Sequence, residues 1–293
     1  MLEIIEHTLT DSIKLLPFLF ITYLIMEYIE HKMASKSKEL IKKSGKLGPI
    51  IGGVLGIFPQ CGFSVSATNL YAGRVITLGT LIAVYLSTSD EMLPIFISEA
   101  VAPERIIKIL AIKLVIGILA GLIIDFILNL INKNKNTNTN KNIETEERIG
   151  HICEEEHCHC NEHGIVKSAL KHTINIFAFI ILVTFIINLV VHFVGEENIA
   201  HLLLNKPIIG PIIAALIGLI PNCASSVIIT NMYLENVISV SSLIAGLLTG
   251  AGVGLAVLFK TNKGIKENIK IVGILYVIGV VSGIILELIG IKI

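Results

Sequence analysis

The chain has 293 residues, 53% hydrophobic and only 16% charged. Soluble domains run at about 25% charged, so this composition argues against a soluble enzyme. The 23 basic and 23 acidic residues cancel, which removes the basic excess of a nucleic-acid binder and the net charge of a disordered chain. What fits is an all-α, polytopic integral membrane protein with the lipid bilayer as its first partner.

In chain order, the N-terminal MLEIIEHTLTDSIK is acidic ahead of its first apolar run. A cleavable signal peptide wants a basic start, so the first apolar segment is expected to remain in the mature protein. Uninterrupted apolar stretches cover 13–29, 106–131, 173–194 and 269–289, each near the roughly 20 residues that cross a bilayer as a helix. Stretches 48–73, 75–102, 210–234 and 237–259 are apolar but broken by Pro, Gly and polar residues. A polar segment, 132–166, separates a first membrane unit (1–131) from a second (167–293). Its start, NKNKNTNTNKN, has nothing to bury and reads as a flexible linker.

An internal repeat organises the rest. Shifted by 162 residues without gaps, GPIIGGVLGIFPQCGFSVSATNLY at 48–71 falls on GPIIAALIGLIPNCASSVIITNMY at 210–233. Over 48–86 against 210–248, 18 of 39 positions are identical. The same shift places Gly117 and Gly121 on Gly279 and Gly283, and Asp125 on Glu287. Loop charge gives the orientation. Loop 31–47 carries six Lys, whereas its partner 195–206 carries Glu196, Glu197 and a single Lys. Loop 98–105 carries Glu99, Glu104 and Arg105, whereas its partner 260–270 carries four Lys. Positive loops stay cytoplasmic, so equivalent loops are expected on opposite sides. Two inverted-topology repeats of five segments follow, with the N-terminus outside and the linker cytoplasmic, in the inner (plasma) membrane. Inverted repeats recur in secondary transporters.

Both repeats carry a break. Phe58-Pro59-Gln60-Cys61-Gly62 interrupts the first and Ile220-Pro221-Asn222-Cys223-Ala224 the second. Proline removes a backbone donor and clashes within a helix, and freed backbone groups in a membrane need protein or a cavity around them. The reading is broken or re-entrant helices whose tips meet at mid-depth. Gln60 and Asn222 offer amide oxygens, Cys61 and Cys223 thiolates, and Ser64 and Ser226 hydroxyls. Asn69 and Asn231 occupy matched positions nearby; coordination of a substrate and hydrogen bonding between helices are both open readings. The fourth span of the first repeat is broken at Ser89-Asp90-Glu91-Met92, while its counterpart, from Thr249 to Gly254, has glycines and no acid. Two adjacent carboxylates in a membrane call for a cation or a proton. Lys113, matched by Leu275, is either a partner for Glu91 or a side chain reaching for the interface. The glycine pairs read as helix packing.

The linker holds His151, Cys153, His157, Cys158, His159, Cys160 and His163 with acids between them. Imidazole and thiolate suit thiophilic metals such as Zn(II) and Cu(I). The spacing fits no zinc finger, so capture or sensing is the expectation.

The runs PQCGFS…NLYAGRVITLGTLIAVYLSTSDEMLP and NKPIIGPIIAALIGLIPNCASS…LIAGLLTGAGVGLAVLFK resemble the ten-helix heavy-metal exporter family, over nearly the whole chain. Its members are labelled arsenic efflux permeases or manganese transporters. The resemblance implies ten helices and export of a metal or metalloid. Two cysteines near one axis favour As(III); Asp90, Glu91 and amides favour Mn(II). No cofactor is expected beyond the transported ion and an ion at the linker. No nucleotide-binding GxxxxGK[ST] motif occurs, so proton coupling through the acidic pair is the expected drive. The alternatives are a passive channel and an intramembrane enzyme using Cys61 or Cys223, though no matched His base accompanies either thiol.

Overall fold

The computed structural model describes residues 47–58, 61–89, 92–134, 208–222 and 224–290, with scattered helical positions within 13–24 and 166–186. Among these residues every continuous element is an α-helix. The first five are α1 (Gly48–Gly56), α2 (Cys61–Ala72), α3 (Leu78–Ser87), α4 (Met92–Ser98) and α5 (Pro103–Asn134). The next five are α6 (Ile209–Gly218), α7 (Ala224–Leu234), α8 (Val240–Thr249), α9 (Gly254–Thr261) and α10 (Ile265–Ile289). α8, α9 and α10 begin 162 residues after α3, α4 and α5. The sequence repeat is therefore a repeat of helices in order.

Local chemistry sets the matched boundaries. Thr77 caps α3 by accepting from the Thr80 amide, and Ser239 caps α8 by accepting from the Ser242 amide. Such caps satisfy an otherwise orphaned donor at the helix start. α2 ends on Arg74, whose φ is 59°, and α7 on Asn236, also at 59°. In each, the left-handed residue donates three residues back and its successor donates five back: Arg74 to Tyr71 and Val75 to Leu70, Asn236 to Tyr233 and Val237 to Met232. This is the Schellman closure of a helix C-terminus.

Packing repeats as well. α3 lies against α1 and α5, and α8 against α6 and α10. The seams are lined by glycine. A methyl group on Gly117 would stand 2.5 Å from Ser87 Oγ, and one on Gly121 would stand 2.5 Å from the Gly79 carbonyl. On α10, Gly279 and Gly283 meet Thr249, Ala245, Pro211 and the Ser241 carbonyl in the same way. One turn further along, Asp125 accepts from Thr77 Oγ1 at 2.6 Å and the Gly79 amide at 2.9 Å. Its counterpart Glu287 accepts from the Ser239 and Ser241 hydroxyls. Both carboxylates sit at a helix N-terminus, where the backbone dipole favours negative charge.

The halves interlock reciprocally: α2 packs on α9, α7 packs on α4, and α3 meets α8. The α2–α9 contact is sealed by Val65, Val253 and Val257, against which Phe20, Leu24, Ala169 and Phe177 also pack. Among the described residues four stretches are long and apolar enough to cross a membrane: 78–97, 103–131, 240–261 and 265–289. The first and third are 75% and 89% buried, the second and fourth only 11% and 28%. Hence α3–α4 and α8–α9 form the core, while α5 and α10 present Ile107, Leu119, Ile123, Ile269, Val281 and Ile285 outward as a lipid-facing coat. The protein is a polytopic, all-helical membrane protein over its described residues.

Gly121→Ala is expected to lower stability by about 1–3 kcal/mol through overpacking, whereas Gly273→Ala, with nothing within 4 Å of the new methyl, leaves it unchanged. Thermal unfolding in detergent checks both.

Candidate functional site: the matched helix breaks

The site is built where α2 crosses the start of α9. Cys61 opens α2, and Ser64 and Thr68 follow at helical spacing on its buried side. Thr68 donates to the Ser64 carbonyl at 2.7 Å. Its hydroxyl lies 2.5 Å from Tyr85 Oη, and both oxygens lie 3.2 Å from the Gly254 carbonyl. This knot ties α2 and α3 of the first half to α9 of the second. Gly254 suits the crossing, because a Cβ there would crowd Ser64 at 3.0 Å.

The reciprocal crossing of α7 and α4 has the same frame and different chemistry. Ser226 and Thr230 are buried at the matched positions. Leu247 replaces Tyr85 and Met92 replaces Gly254. Among the described residues the Thr230 hydroxyl has no hydrogen-bond partner.

At the second break, Asn222 is buried, and its amide N–H donates to the Ile220 carbonyl at 2.7 Å. Ser225 turns back and donates to the Asn222 carbonyl at 2.8 Å, so a side chain serves backbone that Pro221 has taken out of the helix ladder. Asn69 and Asn231 differ despite matched positions. Asn231 is exposed. Asn69 is 2% exposed, and among the described residues neither its side-chain amide nitrogen nor its amide oxygen has a partner. A buried, unpaired amide costs about 1–3 kcal/mol.

Thr249 serves the scaffold. Its hydroxyl donates to the Ala215 carbonyl at 2.8 Å and is within 3.0 Å of the Gly246 carbonyl, in the seam of α6, α8 and α10. Lys113 does not reach for the interface: it is fully buried, and its ammonium donates to the Thr88 carbonyl. Gln60, Asp90, Glu91 and Cys223 lie outside the described residues, as does the Cys61 side chain. So do all seven linker ligands, His151, Cys153, His157, Cys158, His159, Cys160 and His163. Among the described residues no three His, Cys, Asp or Glu side chains gather as a metal site.

At the other end of α2 stands a cluster that sequence reasoning missed. Arg74 binds Glu267 of α10 through two parallel bonds of 2.7 and 2.8 Å, and Tyr71 donates to the same carboxylate. The guanidinium also lies 5.0 Å from the centre of the Tyr71 ring. At the matched positions Asn236 replaces Arg74 and Arg105 replaces Glu267, so this tie between halves exists at one end only. The available signal was an opposite-charge pair whose counterparts cannot pair.

Asn69→Leu separates two roles for that amide. A purely structural Asn69 would be replaced at no cost or with a gain, since an unpaired polar group becomes apolar. The expected result is unchanged or higher thermal stability in detergent; a loss of stability would show that the amide has a structural partner.

A sequence model of a family described as "Putative, 10TM heavy-metal exporter" matches residues 1–194 and 165–292. No curated protein and no solved structure gives a significant match.

Proposed function

Because the chain belongs to the ten-helix heavy-metal exporter family, we propose that it exports a metal or metalloid, As(III)-like or Mn(II)-like, through a chamber at the paired helix breaks. That family is one of transporters, not of enzymes. The observation that carries the reading is the reciprocal packing of α2 on α9 and α7 on α4. Reciprocal contacts between matched elements are the signature of a two-fold relation. With the sign alternation of the loops, that relation favours an axis in the membrane plane and two inverted repeats. Each break then faces its copy near mid-depth.

In this reading Gln60, Cys61, Ser64 and Asn69 of the first half oppose Asn222, Cys223, Ser226 and Asn231 of the second. Asp90 and Glu91 supply charge. If the exporter runs on the proton gradient, loading an ion there releases protons and unloading takes them up. The linker, on the cytoplasmic face of the plasma membrane, gathers thiophilic ions on His151, Cys153, His157, Cys158, His159, Cys160 and His163. The N-terminus lies outside. A passive channel shares this architecture but gives flux that neither saturates nor responds to a proton gradient.

The test is a panel of metals and arsenicals against cells expressing the wild type, Asp90→Asn/Glu91→Gln and Cys61→Ser/Cys223→Ser, with elemental analysis of retained ions. An Mn(II)-type cargo predicts loss of resistance in the acid variant and its retention in the cysteine variant; an As(III)-type cargo predicts the reverse. Full resistance in both variants discards the site. Flux into proteoliposomes that ignores a pH gradient discards the proton coupling.

A further inference from the structure

The crossings between the halves match in backbone and differ in what ties them. At one crossing, the end of α2 lies beside the start of α10. Arg74 holds the Glu267 carboxylate by two bonds of 2.7 and 2.8 Å, and Tyr71 donates to the same group. Arg74 and Glu267 are 193 positions apart, so the contact joins one half to the other. Its bidentate geometry sets it above an ordinary surface ion pair.

Two local features serve this contact. Arg74 occupies the left-handed position that closes α2, at φ 59°. That region suits Gly and Asn, and Asn236 fills it at the end of α7. Arginine gains nothing from the turn itself; its side chain reaches Glu267. The second feature is the connection between α9 and α10. Asn262 donates to Asn268 Oδ1 at 2.6 Å, and Asn268 donates to the Asn262 carbonyl at 2.8 Å, with both side chains buried. Glu267, next to Asn268, is thereby delivered to a fixed place. Ala100 and Ile106 stand at the matched positions, and neither side chain can donate such a bond.

The reciprocal crossing is tied by other means. Tyr233, the counterpart of Tyr71, meets the Phe96 ring with centroids 5.9 Å apart. Asn236 turns to the Leu234 carbonyl of its own turn at 3.4 Å, and Arg105 is exposed. One crossing is thus closed by charge and the other by rings. The charged one is built to part as well as to hold. Arg74 and Glu267 are 24% and 32% exposed, so water can solvate both charges once they separate, which a fully buried pair could not expect.

We propose that Arg74, Tyr71 and Glu267 form a latch that closes the cytoplasmic end between the halves, and that the latch must part for cargo to enter from the cytoplasm. This rests on the reading of the chain as an inverted-repeat exporter, in which the lysine-rich connection 260–270 lies inside. The structure is then the state sealed toward the cytoplasm. Rocking of one repeat against the other breaks the charged tie at the inner end, while the ring contact at the outer end stays closed.

The test uses the full chain in proteoliposomes assayed for flux of Mn(II) and of arsenite. Arg74→Cys/Glu267→Cys is bridged with a reducible bifunctional thiol reagent, with wild type treated alike as the control for the native cysteines. Flux should fall by about tenfold or more on bridging and return on reduction, because the opening step is blocked. A second set needs no reagent and serves if the cysteine variant fails to fold: Arg74→Glu and Glu267→Arg, singly and together, in lipid nanodiscs. Each single reversal sets like charges face to face, and should speed amide exchange in 70–77 and 262–270 by about tenfold or more. Exchange in 233–238 should stay within about threefold of wild type, and the exchanged pair should restore the inner end to the same range. A tie that only stabilised the fold would speed exchange at both ends alike. That result, or a bridged protein that still carries cargo, overturns the latch and leaves the exporter reading standing. A wild type that carries neither Mn(II) nor arsenite overturns both.

Discussion

Close approach between α3 and α5, and between α8 and α10, is the constraint on which the structure depends. Lipid gives helices no hydrophobic reason to associate, so association rests on packing and hydrogen bonds. Glycine at 117, 121, 279 and 283 brings backbones together, and the carboxylates of Asp125 and Glu287 fix the register by holding the first turn of the facing helix. Once that register is set, the ends of α3 and α8 fall at defined depths. The breaks that follow inherit those depths.

The same frame carries unlike chemistry in its two copies. Thr68 is knotted to Tyr85 and Gly254, whereas Thr230 has lost both partners to Leu247 and Met92. Asn69 is enclosed and Asn231 is exposed. Arg74 grips Glu267, while Asn236 and Arg105 stand in their places. Two identical units would make matched contacts at both ends. These substitutions give the protein a tied end and an untied one.

The repeat, its helix boundaries and the packing role of the glycines were legible in the sequence, because they depend on patterns spread over many residues. Side-chain roles were less so. Thr249 opens the counterpart of the acidic break, yet its hydroxyl is taken up by the Ala215 carbonyl across a seam that only three-dimensional packing creates. Asp125 and Glu287 were visible as a matched pair, but their use as caps depends on Thr77, Gly79, Ser239 and Ser241, 46 or 48 residues away. Asn69 and Asn231 look equivalent because the shift aligns them; burial is decided by what the other half places opposite. Lys113 admitted two readings, and its burial removes the one in which it reaches for the interface.

Reciprocal interlocking also has a consequence in time. α2 finds its packing partner only when α9 has been made, and 182 residues separate Ala72 from Gly254. At roughly 5–20 residues per second of synthesis, α2 waits about 10–35 s beside the translocon with its serine and threonine hydroxyls and the Asn69 amide uncovered. An insertion chaperone that shields polar helices would find its client in this newborn half, and the finished molecule would no longer need it.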